Sequence, residues 1–399
     1  MRLALITNNF PPDRNSGAVQ LRDLAREFAA QGHELTVLVP SNDQVEPFRI
    51  ERDRSFEIAR LRAPFDRNAG RARRAIGEFA MPYAMWRSYR GSPLRDRVYD
   101  GVIFYSPSTF FGPLVQRIKA QSQCPSYLII RDIFPDWIVD LGLMRKGPAY
   151  YAFDAVSRYQ YSVADIIGVQ TPGNLSYFPS EKMKAGQQVE VLHNWLADPV
   201  ASGCSIDVAA TPLAGRRIYV YAGNMGIAQG MGVLLDLAEA VRDDRTTGFL
   251  FVGRGTDARA LRQDAVQRGL DNVLFHDEIE PDEIASLYAQ CDVGLVSLDL
   301  RHKSHNIPGK FISYMHSGLP VLASVNPGND LVGMMAEDRV GYGSTSGSVD
   351  DLVRLKQALD AELAVDAATG ERCKRLARRH FSAVAAVRQI VEALGRRSG

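Results

Sequence analysis

Residues 304–324 read SHNIPGKFISYMHSGLPVLAS. Lys310 follows Pro308 and Gly309 and opens a short amphipathic run, which Gly318 and Pro320 close before the apolar VLA. First-turn helix positions prefer acids, because that end of the helix dipole is positive. A lysine there runs against the preference and calls for a reason. Main-chain N–H groups of the first turn, the dipole and a full positive charge would together hold a phosphate through charge-assisted hydrogen bonds. The other reading is an exposed lysine in an ordinary first turn. Ser313 and Tyr314 continue the run, with His305 before it and His316 near its end.

Four further stretches have the composition of ligand loops. YAGNMGIAQGMG places Gly223, Asn224, Gly226, Gly230 and Gly232 between a strand and a helix, and FVGRGTDA places Gly253, Arg254 and Gly255 after the next strand. The first fits neither GxGxxG nor GxxxxGK[ST], so neither phosphate fingerprint applies. Either loop read alone is a plain turn, and two on one sheet edge suggest a binding site. DRNSGAV sets Ser16 and Gly17 at a helix start, which suits an anion or simply a tight turn. RDIFPDW puts Arg131 and Asp132 side by side at a strand end. That pair reads as an active-site edge or as a surface ion pair.

The elements that must position these loops alternate regularly. LALIT, ELTVLVP, GVIFYS, SYLIIRD and DIIGVQ read as buried strands separated by helical stretches. The pattern weakens over about 194–215 and then restarts with RIYVYAGN, GFLFVG, NVLFHDE, DVGLVSL and PVLAS. Two successive α/β halves, each a parallel sheet covered on both faces, account for this order. In such sheets ligands bind beyond the carboxyl ends of the strands, where the loops above lie. The tail, ERCKRLARRHFSAVAAVRQIVEALGRRSG, reads as one or two amphipathic helices. The expected division is 1–195, 196–378 and a terminal helix at 379–399 that returns to the first domain.

The chain has 399 residues, 46% of them apolar and 23% charged, and a net charge of +1, so bulk charge offers no argument for nucleic acid. Cys124, Cys204, Cys291 and Cys373 lack metal-like spacing and read as reduced thiols of a cytosolic protein. The N-terminus lacks the layout of a signal peptide, and no apolar run approaches a membrane span. Charge is uneven locally: Arg60 to Arg97 holds ten arginines against Asp66, Glu78 and Asp96. Ile76, Phe79, Tyr83 and Trp86 fall at helical spacing within it, although Pro82 would interrupt an ideal helix. Arg71, Arg73, Arg74, Phe79 and Trp86 would suit an anionic membrane surface, or the segment is a solvated arginine face over a packed helix.

Taken in order, FPP…GA, RDIFPDW, LHNW, the GN-x-G-x-x-QG loop, G-x-G and P-x-K-x-x-x-YM-x-x-G-x-P resemble GT-B glycosyltransferases of family 4. Within that family they are most similar to bacterial amino-sugar transferases of O-antigen and capsule assembly, of the N-acetyl-L-fucosamine transferase type. The resemblance implies a GT-B fold: two Rossmann-like domains with parallel sheets facing a central cleft. The first domain is expected to take the acceptor and the second the nucleotide-sugar. It also implies a retaining, metal-independent transfer, with no cofactor and a UDP-sugar as donor. The acceptor would be a polyprenyl-diphosphate-linked saccharide, and the protein cytoplasmic, peripheral on the inner face of the cytoplasmic membrane.

Carried over residue by residue, Lys310, Asp132 and Arg131 are the catalytic candidates. The donor is expected against Gly17, Gly223, Asn224, Gly226, Gly253, Arg254, His305, Pro308, Gly309, Lys310, Ser313 and Tyr314. Many relatives grip the diphosphate with an Arg and a Lys where this sequence has Asn224 and Gln229, and place two glutamates where it has His305 and Ser313. Lys310 is therefore the main candidate for the diphosphate charge, with Arg254 as helper. Two other readings use the same architecture: a UDP-sugar 2-epimerase, and a non-catalytic nucleotide-sugar-binding subunit.

Overall fold

The computed structural model describes residues 1–399 apart from 14, 54, 65–69, 107, 109, 141, 143, 199–202, 302–305 and 399. The side chains of 71–74, 137, 140, 182 and 398 also lie outside the description. The chain divides into two compact units, Met1–Ala197 with Ala383–Gly399, and Asp198–Ser382.

Unit 1 contains β1 (Arg2–Ile6), α1 (Ser16–Ala30), β2 (Glu34–Ser41), β3 (Phe48–Asp53), β4 (Phe56–Arg62), α2 (Arg71–Arg90) and β5 (Gly101–Tyr105). It continues with α3 (Gly112–Ser122), β6 (Ser126–Ile129), α4 (Asp136–Asp140), α5 (Pro148–Val163), β7 (Ile166–Val169) and β8 (Gln188–Val191). The eight strands lie in the order β3-β4-β2-β1-β5-β6-β7-β8 and pair in parallel except at β3–β4. Alternation along β1 shows why both faces are covered. Leu3 and Leu5 join a core with Leu21, Leu24 and Phe28 of α1, whereas Ala4 and Ile6 join one with Met81 and Met85 of α2 and Leu114 of α3. Successive side chains of a strand point to opposite faces, so a strand apolar at every position needs helices on both sides.

In unit 2 the order is β9 (Arg217–Ala222), α6 (Gly232–Ala240), β10 (Thr247–Val252), α7 (Ala258–Gln267), β11 (Val273–His276), α8 (Ile284–Tyr288) and β12 (Val293–Ser297). Then come α9 (Gly309–Ser317), β13 (Val321–Ser324), α10 (Asp330–Asp338), β14 (Gly341–Ser344), α11 (Val349–Val365) and α12 (Thr369–His380). The last helix, α13 (Ala383–Ser398), belongs to unit 1 and packs Val387, Ile390 and Leu394 into the core shared by Leu3 and Leu5. The second sheet is wholly parallel, ordered β11-β10-β9-β12-β13-β14. Counted along the unit this is 3-2-1-4-5-6, so the order reverses between β9 and β12. The crevice at that reversal is where doubly wound sheets bind ligands.

Pro82 does not stop α2, which runs unbroken on both sides of it. Proline inside a helix costs about 3 kcal/mol through a lost hydrogen bond and a steric clash. Met81, Met85 and Tyr89 are all fully buried, and each such side chain contributes about 1.5–3 kcal/mol. Packing therefore outweighs the local penalty. The four cysteines are free thiols, and burial pushes Cys124 up to about 11 and Cys373 up to about 12. Among the described residues, no helix is long and apolar enough to cross a membrane.

Candidate functional site

The loops that follow β9, β10 and β12 are stitched together by main-chain hydrogen bonds. Met225 N–H donates to the Arg254 carbonyl (2.8 Å), Asp257 N–H to the Met225 carbonyl (3.0 Å), and Asp299 N–H to the Ala228 carbonyl (3.1 Å). Two glycines make this approach feasible. A Cβ built on Gly253 would stand 2.1 Å from the Gly223 carbonyl oxygen, and Gly253 itself has φ +139°. No side chain fits there.

Lys310 reaches into this junction from the first turn of α9. No side chain caps that helix, and its first-turn Phe311 N–H donates to the Pro308 carbonyl at 3.0 Å. Pro308 is extended, with φ −62° and ψ 138°, which ends the preceding loop and fixes the helix start. Lys310 Nζ lies 4.6 Å from the centre of the Tyr221 ring, at the tip of β9. A Cβ on Gly223 would be 3.2 Å from Nζ and 2.9 Å from Cε, so the lysine lies directly against bare backbone. Cation–π contact of this kind is worth about 0.5–2 kcal/mol and orients the ammonium. Burial pushes the Tyr221 phenol well above its usual range, so it stays a hydroxyl and donates to the Asn224 carbonyl at 2.6 Å. Sequence reasoning missed Tyr221; an aromatic residue two positions before Gly223 at a strand tip was the available signal.

Of the other expected donor residues, Gly223, Asn224, Gly226, Gly253, Arg254, Pro308 and Gly309 all lie in these strand-tip loops or the start of α9. Asn224 Nδ2 donates to Gln229 Oε1 (3.0 Å), which also accepts from Gly226 N–H (3.1 Å), so the amide pair closes its loop on itself. Arg254 turns to Glu278, Nε to Oε2 2.8 Å, and its side chain is 75% exposed. The Ser313 hydroxyl donates back to the Gly309 carbonyl at 3.3 Å. His305 lies outside the described residues. Tyr314 corrects the expectation: it is fully buried, its hydroxyl donates to the Val220 and Leu295 carbonyls, and its ring fills the space that Gly294 leaves. It holds α9 to the sheet, and a ligand outside the strand tips has no access to it.

Unit 1 gathers Gly17, Arg131 and Asp132 at the tips of its own central strands. Asn15 caps α1 by accepting from Ala18 N–H at 3.0 Å, and Gly17 is buried beside the Tyr105 hydroxyl. The Arg131 guanidinium donates to Gln20 Oε1, to the Tyr105 hydroxyl (3.1 Å) and to Ser16 Oγ (2.9 Å). Its main-chain carbonyl accepts from Gln170, whose own amide oxygen accepts from Asn194, while Trp195 Nε1 donates to the Gln20 carbonyl at 2.8 Å. RDIFPDW and LHNW, far apart in sequence, therefore converge on the first turns of α1. Asp132 is half-buried beside this cluster, and its charge acts on both Arg131 and Tyr105. Burial holds the Tyr105 phenol above its ordinary range. Arg131 thus ties its strand tip to the start of α1. Arg131→Lys keeps the charge and loses the planar fork. It is expected to lower turnover about tenfold with thermal unfolding nearly unchanged, and paired rate and unfolding measurements check this.

Residues 216–355, which carry the Lys310 site, match the family described as glycosyl transferases group 1. That stretch is similar to a glycosyl transferase domain. Two relatives are each 23% identical to it. WbjE of Pseudomonas aeruginosa, named as a glycosyltransferase, aligns over 57% of this chain and 58% of its own length. WcaI of Escherichia coli (strain K12), named for glycosyl transfer in colanic acid biosynthesis, aligns over 74% of this chain and 76% of its own. The chain has the GT-B fold. The sucrose-phosphate synthase of Thermosynechococcus elongatus matches with TM-score 0.77 at 18% identity, covering 99% of this chain and 98% of that one. HepE of Anabaena, solved with UDP-glucose, matches with TM-score 0.67 at 13% identity over 99% and 100% of the two chains.

Proposed function

We propose that this family-4-type glycosyltransferase moves a sugar from a UDP-sugar to a polyprenyl-diphosphate-linked saccharide during surface polysaccharide assembly, with retention of configuration. The observation that carries the reading is Lys310. Its ammonium sits at the start of α9, beside the reversal point of the sheet and against the backbone of Gly223. As the bond from sugar to phosphate loosens, negative charge grows on the leaving diphosphate. Lys310 and the amides at the start of α9 meet that charge where it develops, so they stabilise the transition state more than the ground state. A protein cation in this place takes the part that a metal ion plays in other transferases. The departing phosphate oxygen takes the acceptor's proton. The colanic acid role named for WcaI and the UDP-glucose held by HepE support the choice of pathway class and donor.

Incubation with a panel of UDP-sugars and a lipid-linked acceptor tests the proposal. Transfer that requires the lipid acceptor is the expected result. An epimerised UDP-sugar without acceptor, or binding with no turnover, would replace it.

The acceptor's polyprenyl tail places the work at a membrane, and α2 suits that surface. Ile76, Phe79 and Tyr83 are 70%, 45% and 55% exposed along one side of the helix, while Trp86 is half-buried and stacks on Tyr89. Arg87 and Arg90 are exposed further along, and Arg117 lies 5.0 Å from the centre of the Tyr83 ring. The side chains of Arg71, Arg73 and Arg74 lie outside the described residues. Replacing Ile76 and Phe79 together by serine removes about 2–4 kcal/mol of apolar contact. Binding to phosphatidylglycerol vesicles should fall by at least about tenfold in a sedimentation assay, with UDP affinity unchanged.

A further inference from the structure

His316 stands at the far end of the helix that Lys310 opens, and it is 9% exposed. Its Nε2 lies 3.2 Å from the Phe381 carbonyl oxygen, and its Nδ1 3.3 Å from an Asp198 carboxylate oxygen. Both partners are acceptors, and the ring stands between them with one nitrogen toward each.

What the partners share is their place in the chain. Asp198 is the first residue of unit 2, and Phe381 is next to its last. The chain passes from one unit to the other twice, and His316 holds a residue at each passage. On the unit 1 side, both passages are bonded to α1. Trp195 Nε1 donates to the Gln20 carbonyl (2.8 Å) and Ala197 N–H to the Asp23 carboxylate (3.3 Å) just before the first. Gln31, the C-cap of α1, donates to the Val384 carbonyl (3.2 Å) just after the second. The Phe381 ring also meets Phe311, the neighbour of Lys310, edge-on at 6.0 Å between centres. Each passage is therefore fastened on one side to α1, which starts at Ser16 and Gly17, and on the other to α9, which starts at Gly309 and Lys310.

We propose that His316 is a positioning residue that joins the two passages into one hinge, so that domain closure and the placement of Lys310 are coupled through α9. Hinge motions are absorbed by a few residues at element ends, while the helices between them move as rigid bodies. Fastening both hinge segments to the Lys310 helix makes occupation of the diphosphate site and closure one event. This rests on the reading that Lys310 holds the donor diphosphate.

The test uses the full chain with UDP as probe, read by calorimetry and by small-angle scattering with and without UDP. Asp198 is 89% exposed in its side chain, so Asp198→Ala leaves the core untouched. His316→Gln offers donors at a single nitrogen and keeps one tie of the two. The wild type is expected to contract on binding UDP. Each variant should bind UDP within about threefold of the wild type, yet its closed-to-open ratio should fall about fivefold, the effect of one lost hydrogen bond. The double variant should lose less than the two single losses combined, because both act on one device. Contraction as in the wild type for both variants overturns the proposal. So does a wild type that binds UDP without contracting, or a loss of UDP affinity beyond tenfold in His316→Gln. A wild type that does not bind UDP refutes the proposed function itself, which is a separate outcome.

Discussion

Lys310→Ala is expected to lower sugar transfer by about 10²–10³-fold, the usual effect of removing one preorganised group that meets developing charge. The fold should survive. Lys310 is half-buried, and its cation–π contact with Tyr221 is worth only about 1 kcal/mol. The amides at the start of α9 remain, which is why a residual rate is expected. Lys310→Arg should recover part of it, since the guanidinium keeps the charge but presents it as a planar fork in place of a compact ammonium. Initial rates and thermal unfolding on the three proteins decide the matter. An alanine variant turning over within about threefold of the wild type would remove the central claim.

Gly223→Ala is expected to damage both stability and rate. The residue has φ +136°, a conformation that costs an L side chain about 1–3 kcal/mol. Its new methyl group would stand 2.9 Å from Lys310 Cε and push the ammonium off the Tyr221 ring. A fall of several degrees in the unfolding temperature and of about tenfold or more in rate should follow. Gly226→Ala is the comparison. Gly226 is extended at φ −138°, and its added Cβ meets side-chain atoms of Asn224 and Thr256 at 3.1 and 3.3 Å. That change should be mild. In a Lys310→Ala background the rate effect of Gly223→Ala should shrink, because the group it displaces has gone. Full additivity would separate the glycine from the lysine.

The apolar strands were legible because burial on both faces leaves continuous runs such as GVIFY and TGFLFV, which no surface element tolerates. β3 and β4 were not, since FRIERD alternates charge with apolar side chains and takes its identity from an antiparallel partner. β14, GYGS, has no strand-forming composition beyond one tyrosine and exists because β13 offers it an edge. At the site, Lys310 and the glycine loops announced themselves by breaking local rules. Tyr314 did not fit its expected place, because YM in the motif reads alike whether the ring faces a ligand or the sheet. Arg131 and Trp195 share one network, but a linear sequence carries no sign that residues so far apart meet over α1. His316 carries no such signal in the sequence. Its significance comes from where the chain crosses between units, which only the folded chain displays.

The outer strands of the eight-stranded sheet bear on whether two copies could join edge to edge. β3 runs antiparallel to the rest and carries Arg49, Glu51 and Arg52, with Arg49 and Glu51 joined at 2.8 Å. At the opposite border, β8 gives up its Val191 carbonyl to Gln389 of α13 at 2.9 Å. An approaching strand would have to strip water from those charges on one side and displace a side-chain amide on the other. Neither border invites the ladder to grow. Copies of the protein can then reach high local density without polymerising through their sheets.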